Sequence, residues 1–363
     1  MNSLLYFTVL IIPVATLIGF VQGGVMAWAS PFLIFGLLPF AEWVLPEPRT
    51  NSTSHLPIAD LKGWQYDVPI YLASALHLIT LGVFFRTITS FSGWTQVGLL
   101  VSMGISCGAL AINIGHELGH RKGEWEQGFA KVLLSTSLYA HFFIEHNRGH
   151  HVRAATHDDP ATARRGEWVF SFWLRSAIGG WINAWQLEFT RLSRRKQKVW
   201  SFKNEMVRWQ LGQLVALVLI GLVGGVEVLT LFVIAALGGV LLLETVNYLE
   251  HYGLRRETND KGRHEPVTPA HSWNSNAILG RLLLFELSRH SDHHANPRRA
   301  YAALRHFDES PQLPTGYPGM ILIALMPPLF CGLMDRRLNA MHSVKETAEA
   351  ATQIDTLKVV THA

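Results

Sequence analysis

No Asp, Glu, Lys or Arg occurs between Met1 and Ala41. That stretch has room for two membrane crossings of about 20 residues each. Further uncharged stretches run Val68–Phe85, Thr87–Gly115, Trp209–Val226 and Val228–Leu243. In hydrocarbon each backbone amide must be satisfied within its own segment, so such stretches fold as helices. Six crossings are expected, near residues 4–22, 25–45, 68–86, 95–115, 209–226 and 228–249. Gln22-Gly23-Gly24 and Gly224-Gly225 supply tight connections, and Thr87–Trp94 supplies a third. The expected class is an all-α integral membrane protein with six transmembrane helices.

Composition agrees: 49% of the 363 residues are hydrophobic and only 16% are charged, as in polytopic helical membrane proteins. Met1–Gln22 lacks the basic n-region and the A-x-A site of a signal peptide and is expected to be a retained helix. The two cysteines, Cys107 and Cys331, lie in apolar stretches, which excludes a disulfide framework and a Cys-based metal site. The net charge is +4, and no nucleic-acid partner is expected. Charge matters here by position: of 31 Lys and Arg, 12 fall in 145–208 and 9 in 250–310. The positive-inside rule puts both segments, and both termini, in the cytoplasm.

The 13-residue apolar run Val132–Ile144 is too short to span and is expected to dip into or lie on the membrane. Ser310–Met334 is uncharged but holds five prolines, so an interfacial segment is expected. One functional domain is then laid out in order. Residues 1–115 form four helices, 116–208 a first cytoplasmic histidine region, 209–249 two more helices and 250–309 a second histidine region. The interfacial segment 310–334 and a polar, partly disordered tail, 335–363, follow.

Half of the 18 histidines fall in four clusters, each directly after an apolar stretch: His116/His120, His146/His150/His151, His251, and His290/His293/His294. A solvated basic loop accounts for any one of them but not for the set, whereas neutral imidazole is the usual nitrogen ligand of borderline metals. The pairs 116/120, 146/150 and 290/294 are i,i+4 and share a helix face. Nine imidazoles exceed one tetrahedral zinc, and two metal ions fit better. Such a site is strongly cationic, so carboxylates and amides beside it should fix the imidazole tautomers. Candidates are Glu117, Glu145, Asp158, Asp159, Glu244, Asn247, Glu250 and Asp292. His116-Glu117-Leu118-Gly119-His120 also matches the H-E-x-x-H helix of zinc proteases. An intramembrane zinc protease would leave the other clusters without a role.

Two further groups follow from spacing. Gly104, Gly108, Ile112 and His116 recur every four residues, so they line one helix face leading to the metal. That face serves either as a path for a long apolar substrate or as a small-residue helix contact. Arg298 and Arg299 sit beside the last histidine cluster and give it a positive flank.

The strings His116–Arg121, Glu145–Arg153, Asn247–Leu254 and His290–His294, with His271-Ser272-Trp273-Asn274-Ser275, resemble the AlkB-type alkane 1-monooxygenase family. That family belongs to the membrane-bound fatty acid desaturase and hydroxylase superfamily of non-haem di-iron proteins. The likeness runs from about Gly115 to Arg305. It implies a cytoplasmic di-iron cap on the bacterial inner membrane, two iron ions held by the nine clustered histidines, and His271 in a structural role. It also implies O₂-dependent hydroxylation of medium- to long-chain n-alkanes at the terminal methyl, with electrons from rubredoxin and its reductase; rubredoxin is a small acidic protein, and Arg298 and Arg299 are the candidates for docking it. This chain has no C-x-x-C pair, so no rubredoxin domain is expected within it. A fatty-acyl desaturase or an aromatic side-chain hydroxylase would share the same metal site.

Overall fold

The computed structural model describes residues 2–45, 47–49, 51, 63–341 and 343. Among them every regular element is helical, and the only extended pairings are single bridges, Thr258–His264 and Asn274–Gln312. Five helices among the described residues are long and apolar enough to cross a membrane. They are α1 (Ser3–Gln22), α2 (Gly24–Val44), α3 (Trp64–Ser90), α4 (Gly93–Gly119) and, after three other helices, α8 (Glu205–His251). Those three are α5 (Glu124–Thr136), α6 (residues 142–153) and α7 (Val169–Arg194). Beyond α8 come α9 (Ile278–Leu283), α10 (His290–Ala295), α11 (Tyr317–Ala324) and α12 (residues 327–341).

The two expected crossings 209–226 and 228–249 lie in the single 47-residue α8, which is interrupted at Gly225 (φ 83°, ψ 172°). Only glycine adopts that conformation without strain. Around the interruption Leu222 is 78% and Val223 89% exposed, which apolar residues tolerate when lipid covers them. Gly23 and Gly24, both at positive φ, turn the chain from α1 to α2, and a Cβ on Gly23 would lie 2.9 Å from the Phe91 ring.

Helix α4 is the most enclosed of the crossing helices. Gly104 faces Gly238 of α8, and Gly108 faces Gly239 and Leu242. These small residues let the two backbones approach closely, as membrane helices do when packing rather than hydrophobicity drives association. Between Ser106 and Ile112 the helix widens into a π turn, directly before the turn that carries His116 and His120. His77 of α3 is fully buried there, with Nδ1 2.9 Å from Ser106 Oγ and Nε2 3.0 Å from Thr136 Oγ1.

The remaining segments pack on one end of the bundle. Tyr6, Ile12, Ile70 and Ile114 meet Leu282, Phe285 and Tyr301 in one cluster. Tyr248, Leu249 and Tyr252 meet Trp273, Tyr317, Met320 and Phe330 in another. The run Val132–Ile144 leaves α5, reverses at Leu138 (φ 55°) and enters α6, packed on Ile112, Val240 and Leu243. Asp335, where a polar tail was expected to start, lies within α12 and accepts a 3.1 Å hydrogen bond from Tyr252 Oη. The rest of that tail, from residue 344, lies outside the described residues.

Candidate metal centre

The nine clustered histidines come together from four parts of the chain. His116 stands on the last turn of α4 and His120 caps its end, and His146, His150 and His151 stand on α6. His251 ends α8, and His290, His293 and His294 lie on α10. They sort into two groups whose ligand atoms each fall within 4.8 Å of one another: His116, His120, His146, His151 and His293; and His150, His251, His290 and His294. The doublets explain the division. Successive residues on a helix point about 100° apart, so His150 and His293 each aim at a different group from the neighbours His151 and His294.

Every contact within the groups is made through Nε2. In the first, His116 and His293 are 2.9 Å apart, His120 and His146 3.1 Å, His146 and His151 3.0 Å, and His151 and His293 3.1 Å. In the second, His150 and His294 are 3.1 Å apart, His290 and His294 2.9 Å, and His251 and His290 3.3 Å. The groups are neighbours, with the rings of His151 and His294 4.4 Å apart.

Two tautomers are set from outside. His150 Nδ1 lies 2.9 Å from Asp159 Oδ2, and His251 Nδ1 donates to the His271 carbonyl at 3.2 Å. A neutral ring that donates from Nδ1 keeps a lone pair on Nε2. The Nε2 lone pairs of His150 and His251 therefore point into the second group, where a cation would take them. Nitrogen donors of this kind suit iron, copper or zinc. Burial, and then the neighbouring imidazoles, drives His146, His151, His290, His293 and His294 well below the usual histidine range. Burial, and then His150, takes His120 down to about 3. These rings stay neutral and able to ligate. At His150 burial also opposes charge, but the Asp159 carboxylate outweighs it and raises the pKa.

The candidate carboxylates separate by position. Asp159 touches His150, and Glu250 Oε2 lies 3.1 Å from His290 Nε2 while its other oxygen accepts from Tyr317 Oη at 2.9 Å. Glu145 accepts from Asn183 Nδ2 at 2.9 Å. Glu244 is held by Tyr139, Ser176 and Asn247. Asp292 takes Arg305 and Arg299, which fixes α10 to the following loop. Glu117 turns to Arg121 and to the Tyr301 backbone, although both histidines of its H-E-x-x-H string join one group. Asp158 is exposed. His271 stands outside both groups and acts through its carbonyl.

Arg298 is exposed and Arg299 is half-buried on Asp292. Arg298 lines two recesses that also contain His120, Arg121 and Lys122; one of them holds Asp67, Glu117 and Glu126 too, and the other, which adds Arg148 and His151, is the basic surface next to the first histidine group. On the opposite side lies an apolar cavity lined by Ile12, Ile34, Leu38, Gly108, Leu242 and Leu283, with Asn113 one turn before His116. Gly104 borders a lipid-side groove that shares Phe35, Leu242 and Ile321 with this cavity. Ile112 is buried against Leu134 and Leu243. Asn183 and Tyr317, which hold Glu145 and Glu250, carried no signal in the sequence, because each stands far along the chain from its partner.

Residues 92–323 match the fatty acid desaturase family. The chain is 42% identical to an alkane 1-monooxygenase of Ectopseudomonas oleovorans over 306 residues, covering 84% of this chain and 76% of that protein. It is 37% identical over 345 residues to alkane 1-monooxygenase 2 of Alcanivorax borkumensis, covering 92% and 88%. The xylene/toluene monooxygenase hydroxylase component of Pseudomonas putida is 26% identical over 334 residues, covering 92% and 88%. With nine histidines in two buried groups and these likenesses over most of its length, the chain belongs to the alkane 1-monooxygenase family of membrane-bound, histidine-rich hydroxylases.

Proposed function

We propose that the protein hydroxylates the terminal methyl of medium- to long-chain n-alkanes with O₂, using electrons from rubredoxin. The observation that carries this reading is the pair of histidine groups set between an apolar cavity and a basic, water-facing recess. His116, His120, His146, His151 and His293 would hold one iron, and His150, His251, His290 and His294 a second. Bound there, iron supplies O₂ activation. One oxygen atom enters the alcohol and the other leaves as water, with two electrons and two protons taken up.

The chain's own residues do the rest. The cavity walls, Ile34, Leu38, Leu242 and Leu283 among them, exclude water and hold an alkyl chain by contact alone. Asp159 and the His271 carbonyl keep two imidazoles in the ligating tautomer, and the Glu250 carboxylate lies against the ligand atom, Nε2, of a third, His290. In the membrane the chain makes six crossings, with the outer turn of α8 at Gly225. Both termini and the metal centre lie on the cytoplasmic side of a bacterial inner membrane, as the Lys and Arg bias demands. Alkane then arrives from lipid, and reduced rubredoxin arrives from water at the Arg298 recess.

Glu117 faces Arg121 and a backbone amide rather than a histidine group, which disfavours a zinc protease. The test is metal analysis with turnover in lipid nanodiscs, using ¹⁸O₂, reduced rubredoxin and separate n-alkane, p-xylene and fatty-acyl substrates. About two irons per chain and ¹⁸O-labelled 1-alkanol are expected. Full activity with zinc and no iron would overturn the reading, and turnover of p-xylene or an acyl chain alone would move it to another member of the superfamily.

A further inference from the structure

Helix α7 turns more apolar surface outward than a water-soluble cap would. Its inward face mixes Val169, Phe172, Ala184 and Leu192 with Ser176, Gly180, Asn183 and Glu188. Its outer side carries Phe170, Leu174, Ile178, Trp181, Trp185 and Phe189, recurring every three or four positions. Leu174 is 68% and Ile178 58% exposed. At about 1.5 Å per residue this stripe is roughly 28 Å long, a continuous apolar surface that water does not cover without a partner. Yet α7 is not among the helices apolar enough to cross, and Arg175 near its start is paired with Glu167.

The stripe ends in charge of one sign. Arg194, Arg195, Lys196 and Lys198 are exposed just past Phe189, and no Asp or Glu occurs from 189 to 204. Trp200 folds back on Trp185 and Phe189 with ring centroids 5.6 and 5.5 Å away, placing aromatic rings between the apolar stripe and the cations. An apolar stripe, a rim of tryptophan and a cluster of cations in sequence is the make-up of a helix lying in a membrane interface. Cations gathered there are drawn to anionic lipid.

We propose that α7 lies in the headgroup–acyl boundary of an anionic phospholipid leaflet. The Phe170–Phe189 stripe rests in the acyl chains, and Arg194, Arg195, Lys196 and Lys198 rest on the anionic headgroups. Asn183 on Glu145 and Glu188 on Arg148 then tie the leaflet to α6, the helix that carries His146, His150 and His151.

The full chain is reconstituted in nanodiscs with a spin label on Ile178→Cys or on Arg195→Cys, with the unsubstituted protein as background for buried Cys107 and half-buried Cys331. The Ile178 label should relax several-fold faster with O₂ than with a water-soluble nickel chelate, and the Arg195 label should show the reverse. A nickel-accessible Ile178 label overturns the proposal. So does an Ile178 label shielded from both reagents and broadened by a second label, which would mean that another copy of the chain covers the stripe. The charge half is read without labels. The thermal midpoint should lie several degrees higher in phosphatidylglycerol than in phosphatidylcholine discs, and R194Q/R195Q/K196Q/K198Q should lose that difference. An equal difference in both proteins overturns the headgroup contact.

Discussion

At the scale of single residues, the bond from His150 to Asp159 shows how little slack the centre has. Asp159 is itself fixed by the Thr162 hydroxyl at 2.6 Å and by the Ala161 amide at 3.2 Å. Thr162 in turn accepts from the amide of Ala155, a non-glycine residue held at φ 59°. Such a conformation persists only where surrounding bonds fix it, so the loop is built to present one carboxylate oxygen to one imidazole. Asp159→Asn keeps the shape but no longer compels His150 to carry its proton on Nδ1. Iron affinity should fall about 10- to 100-fold, the usual cost of losing such a partner, as measured by competition with a chelator. Unchanged affinity would mean that the carboxylate does not set the tautomer. His293→Ala should act differently: it removes a ring from the five-histidine group, so iron content should fall even at saturating metal, and hydroxylation should be lost.

At the scale of elements, the α4–α8 contact and the cavity beside it make separable demands. A Cβ on Gly108 would meet Leu242 Cδ2 at 2.9 Å and the Gly239 carbonyl at 3.0 Å, so Gly108→Leu must push the two helices apart. Overpacking of this kind costs about 1–3 kcal/mol; the thermal midpoint should drop and turnover should fall alike for every alkane length. Leu242 lines both the cavity and the lipid-side groove, so Leu242→Trp should keep its iron but turn over short alkanes in preference to long ones. A length-dependent loss in Gly108→Leu would instead make that glycine part of the substrate path. The same elements mark what the sequence could reveal. Crossing helices were legible because absence of charge is a one-dimensional signal, and the ligand histidines because i,i+4 pairs and doublets are local patterns. The division into five and four was not, since it depends on how α6 and α10 are rotated against each other. Helix α7 was hidden for a different reason: apolar residues stand on both its faces and its buried side also holds Ser176, Asn183 and Glu188, which blurs the pattern by which a cap helix is recognised.

For the whole molecule, the proposed function asks that two reactants that do not mix reach one centre. The fold offers two separate openings: the apolar cavity opens among α2, α4 and α8, and the basic recess opens between the end of α4 and the loop after α10. Arg298 stands exposed on the rim of that recess with Arg121 and Lys122, while Arg299 is bound to Asp292 and serves the fold. An acidic donor such as rubredoxin should therefore be steered by Arg298 more than by Arg299. Steering acts on encounter and is screened over about 10 Å at 0.1 M salt. Arg298→Glu should lower kcat/KM for rubredoxin about tenfold at low ionic strength, with the gap to the unsubstituted protein closing as salt is raised. Iron content and the KM for alkane should not move, because the residue is not one of the nine ligand histidines and does not line the apolar cavity. Stopped-flow oxidation of reduced rubredoxin across a salt series reads this directly. Rates indifferent to salt in both proteins would place electron entry elsewhere on the surface.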